Sequence, residues 1–119
     1  MLGLLALTSR TMAGTTDDEI QHLLQYVRES EVTFIRNGQE YKSADAADHL
    51  MTKMEHFKKQ IVAAEDFIRL AGTKSIMSGK VYQIKTKDGK LQESGKWLSD
   101  ELSRYRAQKR ELGQQGDGD

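Results

Sequence analysis

Three histidines, no cysteine and scattered serines bound the chemistry this 119-residue chain can do. Without cysteine there is no thiolate nucleophile, no thiolate zinc site and no disulfide framework. His49 and His56 lie seven residues apart in a stretch of helical periodicity. Two turns separate them by about 10.5 Å along the axis, too far to share one ion through bonds of about 2.0–2.1 Å. Asp45 and His49, at i and i+4, fit a helix-surface hydrogen bond. Neither a metal nor a cofactor is expected. A phosphate loop is missing too: six residues separate Gly72 from Gly79-Lys80 where four are required, and Val81 replaces the hydroxyl residue. Serine catalysis needs a hydroxyl, a base and an orienting acid. Ser75 and Ser78 sit in a loop that His49 could approach, which makes a small serine-type hydrolase one reading. There is no G-x-S-x-G elbow, however, and Ser78-Gly79 runs in the reverse order. Loop serines commonly cap neighbouring backbone groups, so a binding role is expected ahead of an enzymatic one.

Charge points the same way. Eighteen basic and eighteen acidic side chains cancel, which argues against a disordered polyelectrolyte and a generally basic nucleic-acid binder. The balance is global, not local: 15–31 carries five acids and one base, whereas 73–96 carries six lysines and two acids. Oppositely charged faces can simply pack or be solvated. The functional reading is a basic patch, with Lys80, Lys85 and Lys87 at its centre, for an anionic partner. No arginine cluster or aromatic run accompanies it, so nucleic acid is not the expected partner.

The elements that must position these residues occupy one domain, 14–112. Met1–Ala13 is expected to be a signal-peptide remnant: Leu2–Leu7 is apolar, and Thr11-Met12-Ala13 places small residues before Gly14. Six apolar residues cannot span a bilayer, which takes about 20, so no transmembrane segment is expected. The 113–119 tail has no apolar residue to offset the entropy of ordering it, and is expected to be disordered.

Within the domain, Thr16-Asp17-Asp18-Glu19 has the pattern of a capping box, followed by Ile20, Leu23, Leu24 and Val27 on one helical face. His22 falls on its flank beside Tyr26. Asn37-Gly38 between two β-prone runs signals a type I′ hairpin pairing Phe34 with Tyr41, Ile35 with Glu40 and Arg36 with Gln39. Arg36 would then share the core side with Val32, Phe34 and Tyr41, and must reach solvent past the turn or meet an acceptor. A long helix is expected from Ser43 to Gly72, its C′ residue, with Ala47, Leu50, Met54, Phe57, Ile61, Ala64, Ile68 and Ala71 as an a/d seam. Met51, Val62, Phe67 and Leu70 widen the stripe, favouring packing within the chain over a coiled-coil homodimer. A straight helix of about 42 Å exceeds the ~26 Å diameter of a domain this size, so it must bend, break near Lys58-Lys59-Gln60, or project. Val81–Thr86 alternates as a strand with Tyr82, Ile84 and Thr86 on one face; Lys87–Lys90 turns the chain. A last helix opens near Ser94 and carries Trp97, Leu98, Leu102 and Tyr105 on one side. The expected fold is α+β: a small antiparallel sheet, hairpin plus third strand, packed against three helices in the order α-β-β-α-β-α.

Five blocks together resemble a known group. These are Thr33–Gly38; Ala46-Ala47-x-His49-Leu50 with Lys53; Ala64–Ile68; Ser75-x-x-Ser78-Gly79-x-x-Tyr82; and Trp97-Leu98-x-x-Glu101-Leu102-x-x-Tyr105-Arg106. In this order they resemble the YfeK-like family of small exported bacterial proteins of unknown function. The resemblance implies a periplasmic or secreted protein and supplies no activity, substrate or cofactor. It draws attention to Arg36, His49, Ser75 and Ser78. They could serve structure, with Arg36 donating to loop carbonyls around Ser75–Gly79, or could line a small anion or glycan pocket. The function expected is a non-enzymatic binding or accessory module for an envelope protein or glycan, monomeric rather than homodimeric through the Ala47–Ala71 seam.

Overall fold

The computed structural model describes the backbone of residues 2–117 and the side chains of residues 15–113. The order is α1 (Leu2–Glu29), β1 (Thr33–Arg36), β2 (Gln39–Tyr41), α2 (Ser43–His56), a 3-10 turn (Lys58–Gln60), α3 (Ala64–Ala71), β3 (Gln83–Lys85), β4 (Leu91–Glu93) and α4 (Ser94–Asp117). The fold is α+β, with a four-stranded antiparallel sheet in the order β2-β1-β3-β4. Side chains of the expected leader, Met1–Ala13, lie outside the described residues, as do those of 114–119 in the expected tail. Among the described residues no helix is long and apolar enough to cross a membrane.

The hairpin takes the expected register, Phe34 opposite Tyr41, Ile35 opposite Glu40 and Arg36 opposite Gln39. Asn37 and Gly38 both adopt positive φ, 52° and 78°, as a type I′ turn requires. Ile20, Leu23, Leu24 and Val27 bury one face of α1. Thr16 does not start this helix. It lies inside α1, and its hydroxyl donates to the Val62 carbonyl, 3.3 Å away. Glu19, expected to reach back in a capping box, instead accepts two hydrogen bonds from Arg106 at 2.8 and 2.9 Å. Arg106 also binds Glu65, so one guanidinium ties α4 to both α1 and α3. On the same α1–α4 seam, His22 stacks on Tyr105 (3.9 Å between centroids) and meets Glu101 at 2.6 Å. Arg104 and His22 hold the Glu101 carboxyl below its usual range despite burial.

The 43–72 stretch breaks where Lys58-Lys59-Gln60 tightens into a 3-10 turn and Ile61 becomes extended. Asp66 then collects the Val62 and Ala63 N–H groups at 3.0 Å each and restarts the helix as α3. The break returns Ala64, Phe67, Ile68 and Ala71 to the core that Ala47 and Leu50 enter from α2. The seam is therefore an intramolecular surface in two segments rather than one continuous stripe. Met51 and Val62, expected to widen that stripe, are exposed, while Phe67 is fully buried. Gly72 caps α3 without a left-handed backbone (φ −104°). A Cβ there would stand 2.6 Å from Leu98 Cδ1, so the glycine permits close approach of α4.

β4 was not expected, and its residues explain why. Leu91 is 58 % exposed and Gln92 only half-buried, so no apolar alternation marks it. The ladder to β3 is set up by the Thr86–Lys90 turn, where Thr86 N–H donates to the Lys90 carbonyl and Gly89 N–H to that of Thr86, both at 2.9 Å. Gly89 takes φ 87°. The last helix opens at Ser94 as expected and buries Trp97, Leu98 and Leu102.

Candidate functional site

The hairpin and the first two turns of α2 enclose a recess of about 260 Å³, lined by Phe34, Arg36, Tyr41, Asp45, Ala46 and His49. Strand alternation puts Phe34 and Arg36 on one face of β1, and pairing brings Tyr41 beside them. Helical spacing turns Asp45, Ala46 and His49 toward the same space. Arg36 at the strand's end has no depth of core to enter. Its guanidinium lies over the Tyr41 ring, 4.8 Å from the centroid, and Nη2 donates to the Tyr41 hydroxyl at 3.1 Å. That hydroxyl donates onward to Gln39 Oε1 at 2.8 Å.

Behind the recess stands a second layer. Lys53, one turn beyond His49, is 7 % exposed. Its Nζ donates to the Lys74 carbonyl at 2.9 Å and to the hydroxyl of buried Tyr82 at 3.1 Å. His49 Nε2 lies 3.4 Å from the same hydroxyl. Burial, then the nearby Arg36 charge, pulls the Lys53 ammonium down to about 8. Burial also lowers the His49 pKa, helped by Arg36 and Lys53, while burial raises that of Tyr82 against the opposing effect of Arg36. His49 Nε2 and Lys53 Nζ meet on the Tyr82 hydroxyl, Lys53 as donor. A chain of polar contacts thus runs from the core-side lysine to the recess wall.

Of the residues singled out by sequence, Arg36 and His49 come together here; the serines and lysines do not line this recess. Ser75 is buried, and its Oγ accepts from Ser78 N–H at 3.3 Å. Ser78 Oγ donates to Asn37 Oδ1 at 2.5 Å, fastening the 73–82 loop to the hairpin tip. Both hydroxyls are engaged in holding the loop, and His49 is engaged with Tyr82. Arg36 does not donate to the loop carbonyls as expected. Lys53 supplies that contact through the Lys74 carbonyl, because α2 places it directly beneath the loop whereas Arg36 is drawn to Tyr41. In the basic stretch Lys85 pairs with Glu40 at 2.8 Å and Lys87 with Glu31 at 2.7 Å, while Lys80 is exposed. Lys87–Glu31 joins the acidic and basic segments read from the sequence, so part of their asymmetry is met within the fold.

Lys53 and Tyr82 were missed as site residues. The signal for Lys53 was a cation three residues after Leu50 and one before Met54, on the buried face of a helix, where an ammonium needs a specific partner. Among the described residues, no group of three or more His, Cys, Asp or Glu side chains is placed to hold a metal ion.

Comparison with known proteins places this site in a family. The chain belongs to the family of unknown function DUF5329, whose sequence profile matches residues 14–106 and so includes every residue of the recess. It is similar to the uncharacterized protein YfeK of Salmonella typhimurium, 33% identical over 55 residues, which is 46% of this chain and 46% of that protein. The match thus spans less than half the length of that curated relative. No solved structure matches the chain.

Proposed function

We propose that this chain is a non-enzymatic binding module of the bacterial envelope that holds one residue-sized group of a glycan or protein in the hairpin–α2 recess. The observation that carries this reading is the recess itself. It has an apolar floor from Phe34 and Ala46 and convergent polar groups from Arg36, Tyr41, Asp45 and His49, the make-up of a small-ligand site. Its volume of about 260 Å³ suits a single sugar or side chain rather than a large cofactor. A hydrolytic reading lacks support in the geometry, since the loop serines bond to Asn37 and to loop backbone. Export to the periplasm or beyond is part of the same proposal, and is supported by the composition of Met1–Ala13.

Amide chemical shifts of the full chain, followed during titration with soluble cell-wall fragments that present both sugars and peptides, test the binding role. Saturable shifts confined to Phe34, Arg36, Tyr41, Ala46 and His49 are expected. Shifts centred instead on Lys80–Lys90 would return the site to the basic stretch. A fluorophosphonate probe is expected to leave Ser75 and Ser78 unlabelled, and an alkaline-phosphatase fusion to residues 1–20 is expected to be active outside the cytoplasm.

A further inference from the structure

We propose that the recess receives an anionic group, a carboxylate or phosphoryl end, engaged directly by Arg36 and favoured by the buried Lys53 charge behind it. This deepens the binding reading above and rests on it. Four other arginines meet carboxylates, while Arg110 lies exposed on α4: Arg28 meets Asp48, Arg69 Asp66, Arg104 Glu101 and Arg106 both Glu19 and Glu65. Arg36 is different. Its described partners are the hydroxyl and ring of Tyr41, both neutral, and it forms no ion pair within 4 Å among the described residues. A guanidinium carries five donors in a planar fork that matches two anionic oxygens, and one bond to a hydroxyl leaves most of that capacity open.

Lys53 repeats the pattern in a buried setting. Both its hydrogen-bond acceptors, the Lys74 carbonyl and the Tyr82 hydroxyl, are uncharged. A cation nine-tenths buried with no counter-charge raises the positive potential of the space around it, and low-dielectric surroundings weaken that field less than water does. The titratable and charged groups lining this space are Arg36 and Tyr41 of the hairpin and Asp45 and His49 of α2, with Lys53 of α2 and Tyr82 ahead of β3 in the layer behind. Asp45 is the one carboxylate among them. It is exposed on the rim and pairs with neither cation within 4 Å among the described residues, so one screened anion stands against Arg36 in the lining and Lys53 behind it. The first two turns of α2 form the other wall, through Asp45, Ala46 and His49.

The test compares three small probes on the full chain by amide and Arg36 Nε–H shifts: acetate, inorganic phosphate and the uncharged isostere acetamide. Each is raised to about 50 mM, enough to saturate a site of millimolar affinity. Acetate or phosphate is expected to shift Arg36, Ala46 and His49 saturably, with acetamide without effect there. Arg36→Gln is expected to weaken the anion at least about tenfold, the scale of one charge-assisted hydrogen bond, with Arg36→Lys recovering part. Asp45→Asn is expected to tighten it by about threefold, as removal of one screened charge should. Thermal midpoints of the variants confirm that they fold, and the wild-type comparison of acetate with acetamide needs no variant. Equal shifts from acetamide and acetate, or unchanged anion affinity in Arg36→Gln, would overturn the anion assignment while leaving the recess as the binding site. Cell-wall fragments that shift the recess while all three probes do not would do the same. Silence of the recess to cell-wall fragments and probes alike would overturn both. Glucuronate and N-acetyl-dialanine, run as further arms, distinguish a glycan source of the anion from a peptide one.

Discussion

Lys53 offers a test of the electrostatics that does not depend on finding a ligand. Its ammonium ionises at about 8 in the fold and at 10.5 when unperturbed, because burial first and Arg36 second disfavour the charge. A base with a depressed folded pKa imposes a cost on the fold that is fully present below pH 8 and is relieved as pH rises toward 10.5, since the unfolded chain then binds more protons than the native one. Between pH 7 and 9.5 the two pKa values imply a relief of about 2 kcal/mol, reduced somewhat because the group keeps two hydrogen bonds near the surface loop. The titrating neighbours do not confuse this window: His49 is pushed below its usual range and Tyr82 above its own. The assay is urea unfolding of the wild type and Lys53→Met at pH 7, 8, 9 and 9.5, read as the stability difference at each pH. The wild type should gain about 1–2 kcal/mol on Lys53→Met over this range. Phosphate at about 50 mM should shrink the gain by stabilising the ammonium, if the recess holds an anion nearby. A difference that stays flat from pH 7 to 9.5 would refute the desolvated-lysine picture, and with it the second layer of the candidate site.

Three further outcomes concern the frame that holds the site. Arg106→Met should cost about 2–3 kcal/mol, less than a fully buried pair because Arg106 is partly exposed, and adding Glu19→Gln should restore part of the loss; chemical denaturation reads both. Gly72→Ala should lose about 1–3 kcal/mol by driving a Cβ into Leu98, which a fall in thermal midpoint would report. Ser94→Ala should be neutral or stabilising by up to about 1 kcal/mol, because its buried hydroxyl has no hydrogen-bond partner among the described residues; a clear loss of stability would refute this.

The hairpin was legible because its determinants are local. Asn37-Gly38 supplies the backbone geometry of the turn, and the turn sets the register that brings Phe34, Arg36 and Tyr41 onto one face. The core faces of α1 and α4 were legible for a similar reason, since helical periodicity sorts Leu23, Val27, Leu98 and Leu102 inward without reference to other elements. Two of the six residues that line the recess, Arg36 and His49, were accordingly singled out. The remainder was not, because hydrogen bonds between residues far apart in sequence leave no local trace. Lys53 reaches Lys74 and Tyr82 across 21 and 29 residues, and Ser78 reaches Asn37 across 41. Charge counting by segment was informative about where lysines lie, yet it could not show that Lys85 and Lys87 meet Glu40 and Glu31.

By itself, then, the sequence determined the α+β class, the hairpin and its register, the start of α4 and the exclusion of thiol chemistry, all of which follow from residue type and short-range periodicity. Only the tertiary structure decided that the 43–72 stretch breaks rather than bends or projects, that β4 completes the sheet, that Arg106 joins three helices and that Lys53 lies behind His49. The physical reason is common to all four. Each depends on what a segment packs against, and a continuous a/d seam, a strand without apolar alternation or a lone lysine satisfies local rules in more than one way until the rest of the chain has taken its place.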